Sequence, residues 1–222
     1  DPSLTRLSGT TFMNVPLTFF EQGYPMYYFR GYKFTGIDPK TGDPTFADLD
    51  NSGDLTDDDK MDLGNSIPKV NYGITLTAAY KGLDLTVFGS GAAGTKIWNC
   101  INRTDFPMVN KMKEIVYDDR WTVDNPNGTK PRAGANNMDK YATSSAMVYD
   151  GSYFKIKQIQ LGYTLPKDIL KKIAISNLRL YVSLDDFFTF TKYPGFDPEV
   201  GGIDKGAYPT SKKVVMGFNL EF

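Results

Sequence analysis

The last nine residues, Val214-Val215-Met216-Gly217-Phe218-Asn219-Leu220-Glu221-Phe222, constrain the fold more than any other stretch. Counted back in twos from the end, Phe222, Leu220, Phe218, Met216 and Val214 are all apolar. The residues between them, Glu221, Asn219, Gly217 and Val215, with Lys213 before them, are mostly polar. Successive side chains of a strand point to opposite faces, so this segment reads as a strand with one apolar and one polar face. An apolar face of this kind needs a cover. Lipid covers it in a membrane-spanning β-barrel, where the polar face lines the lumen. In a soluble sandwich the cover is a second sheet.

The same period recurs upstream. Tyr72, Ile74, Leu76, Ala78 and Tyr80 share one parity; Asn71, Gly73, Thr75, Thr77 and Ala79 share the other. Lys81-Gly82 follows as a tight turn, then Leu83, Leu85 and Val87 alternate with Asp84 and Thr86, which predicts a β-hairpin. Tyr72 and Tyr80 bracket a span of roughly 26 Å along a strand, matching two aromatic girdles around an apolar band about 25 Å tall. A second pair of strands is predicted over 153–165 and 178–190. In the latter, Leu178, Leu180, Val182, Leu184, Phe188 and Phe190 share a face that Asp186 interrupts. An Asp on a lipid-facing parity is costly, so a bulge at Asp185-Asp186 is the alternative. An earlier strand is predicted over the Tyr- and Phe-rich stretch 26–37.

The connections between these strands are unequal. Stretches 38–70, 96–152 and 191–211 are long, whereas Lys81-Gly82 is tight and 166–177 is short, with room for one helical turn. Long and short connections therefore alternate, as they do in outer-membrane barrels with long outer loops and short periplasmic turns. Structureless loops this long count against a compact soluble domain. The reading is an all-β fold: an antiparallel transmembrane β-barrel segment of about six or seven strands with long extracellular loops. The alternative is a secreted, calcium-stabilised, carbohydrate-binding β-sandwich.

Composition narrows the functions. Lys and Arg number 25 against 26 Asp and Glu, which gives no electrostatic basis for nucleic-acid binding. The chain has no His, so His-based metal sites and serine triads in their usual form are not expected. A single cysteine, Cys100, makes no intrachain disulfide; without a His to act as base it reads as an incidental loop residue rather than a nucleophile. No spacing singles out an acid/base carboxylate pair, so no enzyme is expected. No apolar run of about 18 residues is present, so no transmembrane helix is predicted; a β-barrel needs none. The start, Asp1-Pro2-Ser3-Leu4-Thr5-Arg6, is not a signal peptide, so the chain reads as processed or as a piece of something longer.

One acidic stretch carries a metal-ligand pattern. Asp48 to Asp59 fits a twelve-residue calcium loop: Asp48, Asp50 and Ser52 at positions 1, 3 and 5, Gly53 at 6, the Asp54 carbonyl at 7 and Asp59 at 12. Asp59 is shorter than the usual Glu, and Gly42-Asp43-Pro44 upstream argues against an entering helix. The plain reading is a solvated acidic turn; the functional one is calcium. Trp98 and Trp121 fall within 96–152, where they would stack on sugars or pack the loop itself.

The order of several segments resembles one family. Gly64-Asn65-Ser66-Ile67-Pro68-Lys69-Val70-Asn71-Tyr72-Gly73 leads into a strand, followed by Tyr80-Lys81-Gly82-Leu83-Asp84-Leu85. Asp119-Arg120-Trp121-Thr122, Asn125-Pro126-Asn127 and Asp150-Gly151-Ser152-Tyr153-Phe154-Lys155-Ile156-Lys157 come next. Gln160-Leu161-Gly162-Tyr163-Thr164-Leu165-Pro166, then Thr189-Phe190-Thr191-Lys192-Tyr193-Pro194-Gly195 with Asp197-Pro198-Glu199, precede the terminal strand. From about Tyr24 onward, this series resembles the C-terminal end of SusC/RagA-type TonB-linked outer-membrane transporters. The acidic loop within 38–70, just before the Gly64 segment, resembles that family too. Asp185-Asp186 departs from its usual Gln-Asn-like pair.

The resemblance implies that 1–222 is the C-terminal part of a barrel domain of about 22 strands whose plug and N-terminal part lie elsewhere. It implies the outer membrane of a Gram-negative bacterium, a TonB complex as energy source and a SusD-like surface lipoprotein as partner. A glycan or peptide would be the cargo. Val214, Met216, Phe218, Leu220 and Phe222 would then face lipid.

Overall fold

Period-two alternation becomes long paired strands over 70–93, 153–191 and 213–221, and the aromatic stretch at 28–32 becomes a short, enclosed strand. The computed structural model describes residues 6–9, 11–12, 15–101, 118–170 and 175–222. Along the chain the strands begin with β1 (Arg6–Ser8), β2 (Thr11–Phe12), β3 (Val15–Pro16), β4 (Thr18–Glu21), β5 (Tyr28–Tyr32), β6 (Phe34–Ile37), β7 (Pro44–Phe46) and β8 (Lys60–Asn65). They continue with β9 (Val70–Tyr80), β10 (Leu83–Ala93), β11 (Lys96–Asn99), β12 (Val148–Asp150), β13 (Tyr153–Thr164), β14 (Asn177–Thr191), β15 (Ile203–Asp204) and β16 (Lys213–Glu221). Among the described residues two short α-helices, α1 (Met138–Ala142) and α2 (Lys167–Leu170), interrupt them.

The strands sort into two units. Pro68–Gly94, Ser152–Lys192 and Tyr208–Phe222 form a wall: one five-stranded antiparallel sheet in the order β16-β14-β13-β10-β9. Both strands of the predicted hairpin are present, joined at Lys81 (φ 47°) and Gly82 (φ 87°). Two left-handed residues in a two-residue loop match the right-handed twist of the flanking strands. The 166–177 connection opens with α2, the single helical turn its length allowed. Its residues 171–174 lie outside the described residues.

The other unit gathers Asp1–Ile67, Thr95–Gly151 and Tyr193–Ala207. It holds a four-stranded sheet β1-β4-β5-β8, a three-stranded sheet β12-β11-β15, and the hairpins β2-β3 and β6-β7. Leu17, Phe29, Trp98, Cys100, Tyr141 and Met147 form its core. The parallel pairing of β11 with β15 joins residues about a hundred positions apart, Trp98 opposite Ile203. Trp98 N donates to Gly202 O at 2.7 Å and Cys100 N to Asp204 O at 2.9 Å.

Three expectations are corrected here. The stretch 26–37 is not a wall strand: β5 is buried at all five positions and lies between β4 and β8. Its aromatics are enclosed on both sides, which alternation does not require. Among the described residues the wall therefore has five strands. The stretches 96–152 and 191–211 are not structureless loops, because they supply β11, β12, β15 and α1 to a packed core (102–117 lie outside the described residues). Cys100, in the bend just after β11, is not incidental: it is buried in the core.

Candidate functional site

The wall presents one continuous apolar face. Pairing aligns Tyr80, Leu83, Tyr163, Leu180 and Phe218 in a row across all five strands. Further along the strands, Tyr72, Gly91, Phe154 and Phe190 form a second row. Between the rows lie Leu76, Val87, Ile159, Leu184 and Val214 at successive paired positions. This face is open: Leu76 is 63% exposed, Met216 78% and Phe218 67%. On the terminal strand Val214, Met216, Phe218 and Leu220 share one parity, with Val214, Met216 and Phe218 exposed and Leu220 half-buried, and Phe222, exposed, follows the strand. A soluble sandwich buries such a face, whereas a membrane wall presents it to lipid.

Two aligned bulges keep that face continuous. Between the levels of Phe88 and Gly89, β13 carries one extra residue, Lys157. At the same level β14 carries one more than β13, around Asp186 and Phe187. The insertion switches the apolar parity of β13, from Phe154 and Ile156 to Ile159, Leu161 and Tyr163. Two insertions restore it in β14, so Leu180, Val182, Leu184, Phe188 and Phe190 stay on one face. Asp186 has φ 59°, a left-handed conformation that Asp tolerates better than most residues. The interruption read in the sequence is thus a bulge.

Glycines set the aromatic row. The rings of Tyr72 and Phe154 lie 6.0 Å apart at 4°, and Phe154 stacks on Phe190 at 6.5 Å. Gly91 sits between Tyr72 and Phe154 in the pairing, where a Cβ would come within 2.6 Å of the Tyr72 ring. Tyr72 Oη donates to Tyr153 O at 3.1 Å, which pins the first ring. On the opposite, polar face, Arg179 clamps Asp84: Nε to Oδ1 at 2.9 Å and Nη2 to Oδ2 at 2.5 Å. The clamp passes over Gly162, whose Cβ would come within 2.5 Å of Asp84 Oδ1. Nothing in one-dimensional alternation flags these pairs. A glycine facing an aromatic or arginine on the next strand was the signal available, and it requires the register.

The acidic loop closes on itself in the first unit. Single oxygens of Asp48, Asp50 and Asp59 lie within 4.8 Å of one another. Asp48 accepts from Ser52 N (3.2 Å) and Gly53 N (2.9 Å), and Asp50 accepts from Ser52 N (2.9 Å). Asp59 is fully buried and accepts from Leu49 N at 2.7 Å and Thr56 N at 2.8 Å. These amide donors, Thr56 first and Leu49 next, hold its carboxyl below the usual carboxylate range. Gly53 turns the chain at φ 87°, and Ser52 Oγ donates to Asp54 O at 3.0 Å. The donor set is all hard oxygen, as calcium requires. Strands flank the loop: β7 enters, and a 3-10 turn over Asp57–Asp59 leads into β8. The loop thus keeps the oxygen spacing read in the sequence but lacks the helix pair of an EF-hand.

The two tryptophans serve packing. Trp98 has 0% exposure and meets Phe29 edge-on at 5.6 Å, so it offers no face to a sugar, and its reading as a ligand platform is corrected. Trp121 is half-buried, donates from Nε1 to Pro39 O at 3.1 Å and lies over the turn at Gly42. Beside Trp98, Asn99 Nδ2 donates to Tyr193 Oη at 3.0 Å, and Tyr193 Oη donates to Asp204 Oδ2 at 2.6 Å. Burial, then the Asp204 carboxylate, pushes the Tyr193 phenol up.

No protein-family model matches the chain. TonB-dependent receptor P3 of Formosa agariphila is 31% identical over 223 residues, covering 87% of this chain and 22% of that protein. TonB-dependent receptor SusC of Bacteroides thetaiotaomicron is 22% identical over 199 residues, covering 86% of this chain and 19% of that protein. Among solved structures, the RagAB peptide transporter superposes with a TM-score of 0.82 at 26% identity, over 99% of this chain and 24% of that one. The chain thus spans about a fifth to a quarter of the proteins it matches. Sequence and backbone together identify it as SusC/RagA-like, matching part of a TonB-dependent transporter.

Proposed function

We propose that this chain forms wall and outward-facing loops of an outer-membrane importer that is driven through TonB and takes up an oligosaccharide or a peptide. The observation that carries this reading is the exposed apolar face bounded by two aromatic-bearing rows, in a chain that aligns with a TonB-dependent receptor along 87% of its length. Its residues perform no bond chemistry in this reading; they divide lipid from a polar lumen. The likeness to SusC and to RagAB supports a SusD-like surface lipoprotein as partner. The oxygens of Asp48, Asp50 and Asp59, gathered within 4.8 Å of one another, support calcium as an ordering ion of the first unit, with Ser52 and the Asp54 carbonyl as the further ligands of the pattern.

The test uses the natural full-length protein in detergent-extracted outer membranes, run on a denaturing gel with and without boiling. A band several times larger than 24.8 kDa whose mobility shifts on heating is expected. A detergent-independent soluble species would overturn the reading. Deletion of the gene should abolish growth on one class of polymer, and comparing oligosaccharide with peptide media names the cargo.

A further inference from the structure

The apolar face of the wall is not uniform. Near the end that carries the tight turn it holds a shallow groove of about 390 Å³. Leu83, Leu161, Tyr163, Leu180, Val182 and Met216 line it. These belong to two adjacent cross-strand rows, so the groove starts at the row of Tyr163 and runs toward the middle of the band. At the same end of the strands stand two exposed cations, Lys81 and Lys167, the first with its ammonium 5.2 Å from the centre of the Tyr80 ring. Lys81 occupies the tight turn two residues before Leu83, and Lys167 opens α2 four residues after Tyr163. The two segments are tied together by Thr164 N donating to Gly82 O at 2.8 Å. α2 itself buries Leu170 and leaves Ile169 55% exposed. Asp168 is already engaged by another group, and Glu221 lies on the polar face.

An apolar slot with two cations at the same end of the strands matches a molecule with an acyl chain and an anionic head. We propose that this groove holds one glycerophospholipid: a chain segment lies against Leu180 and Val182, and the phosphate sits between Lys81 and Lys167. Short turns lie on the periplasmic side of such walls, so the lipid comes from the inner leaflet. Charge complementarity separates this site from the middle of the face, where the exposed side chains are apolar. The inference rests on the membrane-facing reading of the wall and not on transport.

The full-length protein, purified in mild detergent, is examined by native mass spectrometry with lipid identification. The wild type is expected to retain about one anionic glycerophospholipid per chain. Lys81→Asn and Lys167→Gln should each lower its occupancy about five-fold, the effect of one surface cation. Val182→Phe, which fills the slot, should lower retention of every phospholipid headgroup class. Lys192→Gln and Lys212→Gln, cations beyond the opposite end of the wall strands, should leave it unchanged. Equal retention in the wild type and the Lys81/Lys167 double variant would overturn the proposal. So would retention of lipid A in place of phospholipid, or a lipid-free wild type. The heat-shift gel, run on the same samples, reports separately whether the barrel itself is present.

Discussion

Individual side chains here are readable only with their cross-strand neighbours. Trp98 stands in a stretch that looks like loop, yet it fills the core of the first unit. Trp98→Ala should cost that unit about 3–5 kcal/mol, seen as faster trypsin cleavage within 1–67 and 95–151 while the heat shift of the barrel persists. Its indole N–H has no hydrogen-bond partner among the described residues, so Trp98→Phe forfeits no bond and should be much milder. Asp59 gives a pH prediction. Its carboxyl is held below its ordinary value of 3.8 by the Thr56 and Leu49 amides. A lowered folded value means the stabilisation is complete above 3.8 and is lost as pH falls through the folded value. Hydrogen exchange at Leu49 and Thr56, corrected for intrinsic rate, should therefore stay slow down to about pH 4 and accelerate only below it. Asp59→Asn should accelerate it at neutral pH, and loss of a terbium or calcium signal in the same variant would support the metal reading.

At the scale of elements, phase decides everything. A strand shifted by one residue turns its whole apolar set to the other face. Deleting Asp186 alone removes one of the two insertions in β14 and leaves Leu180, Val182 and Leu184 out of phase with Phe188 and Phe190. That variant should fail to give a heat-shifted band in outer membranes. Asp186→Gly, which suits φ 59° better than Asp, should assemble normally and gain about 1 kcal/mol or less in stability. The hairpin β9-β10 and the terminal strand were legible because each alternates without interruption. The bulge was legible only as an anomaly at Asp186. The Lys157 insertion in β13 left no such mark, because its parity switch hides within a mixed Lys-Gln-Ile sequence. β5 was misread for the converse reason: aromatic residues look alike whether they face lipid or a core.

For the whole molecule, the two faces of the wall should report different solvents. Spin labels at Leu76→Cys and Met216→Cys should relax with dissolved oxygen, and labels at Thr77→Cys and Asn219→Cys with a water-soluble nickel chelate. Cys100 is buried, so background labelling should be low. Reversal of that pattern would mean the polar face meets lipid. The sequence by itself determined the wall's chemistry, because a two-residue period needs no distant partner: each strand declares its own apolar side. It also determined the alternation of long and short connections, the tight turn at Lys81-Gly82 and the oxygen pattern of 48–59, all local facts. Only the tertiary structure decided that the long connections fold into a unit of their own. Phe29, Trp98, Tyr141 and Ile203 come from four distant segments, and no local period records that they meet. It alone decided, too, which glycine lies between Tyr72 and Phe154 and which lies under the Arg179–Asp84 clamp, since register is a property of pairs of strands.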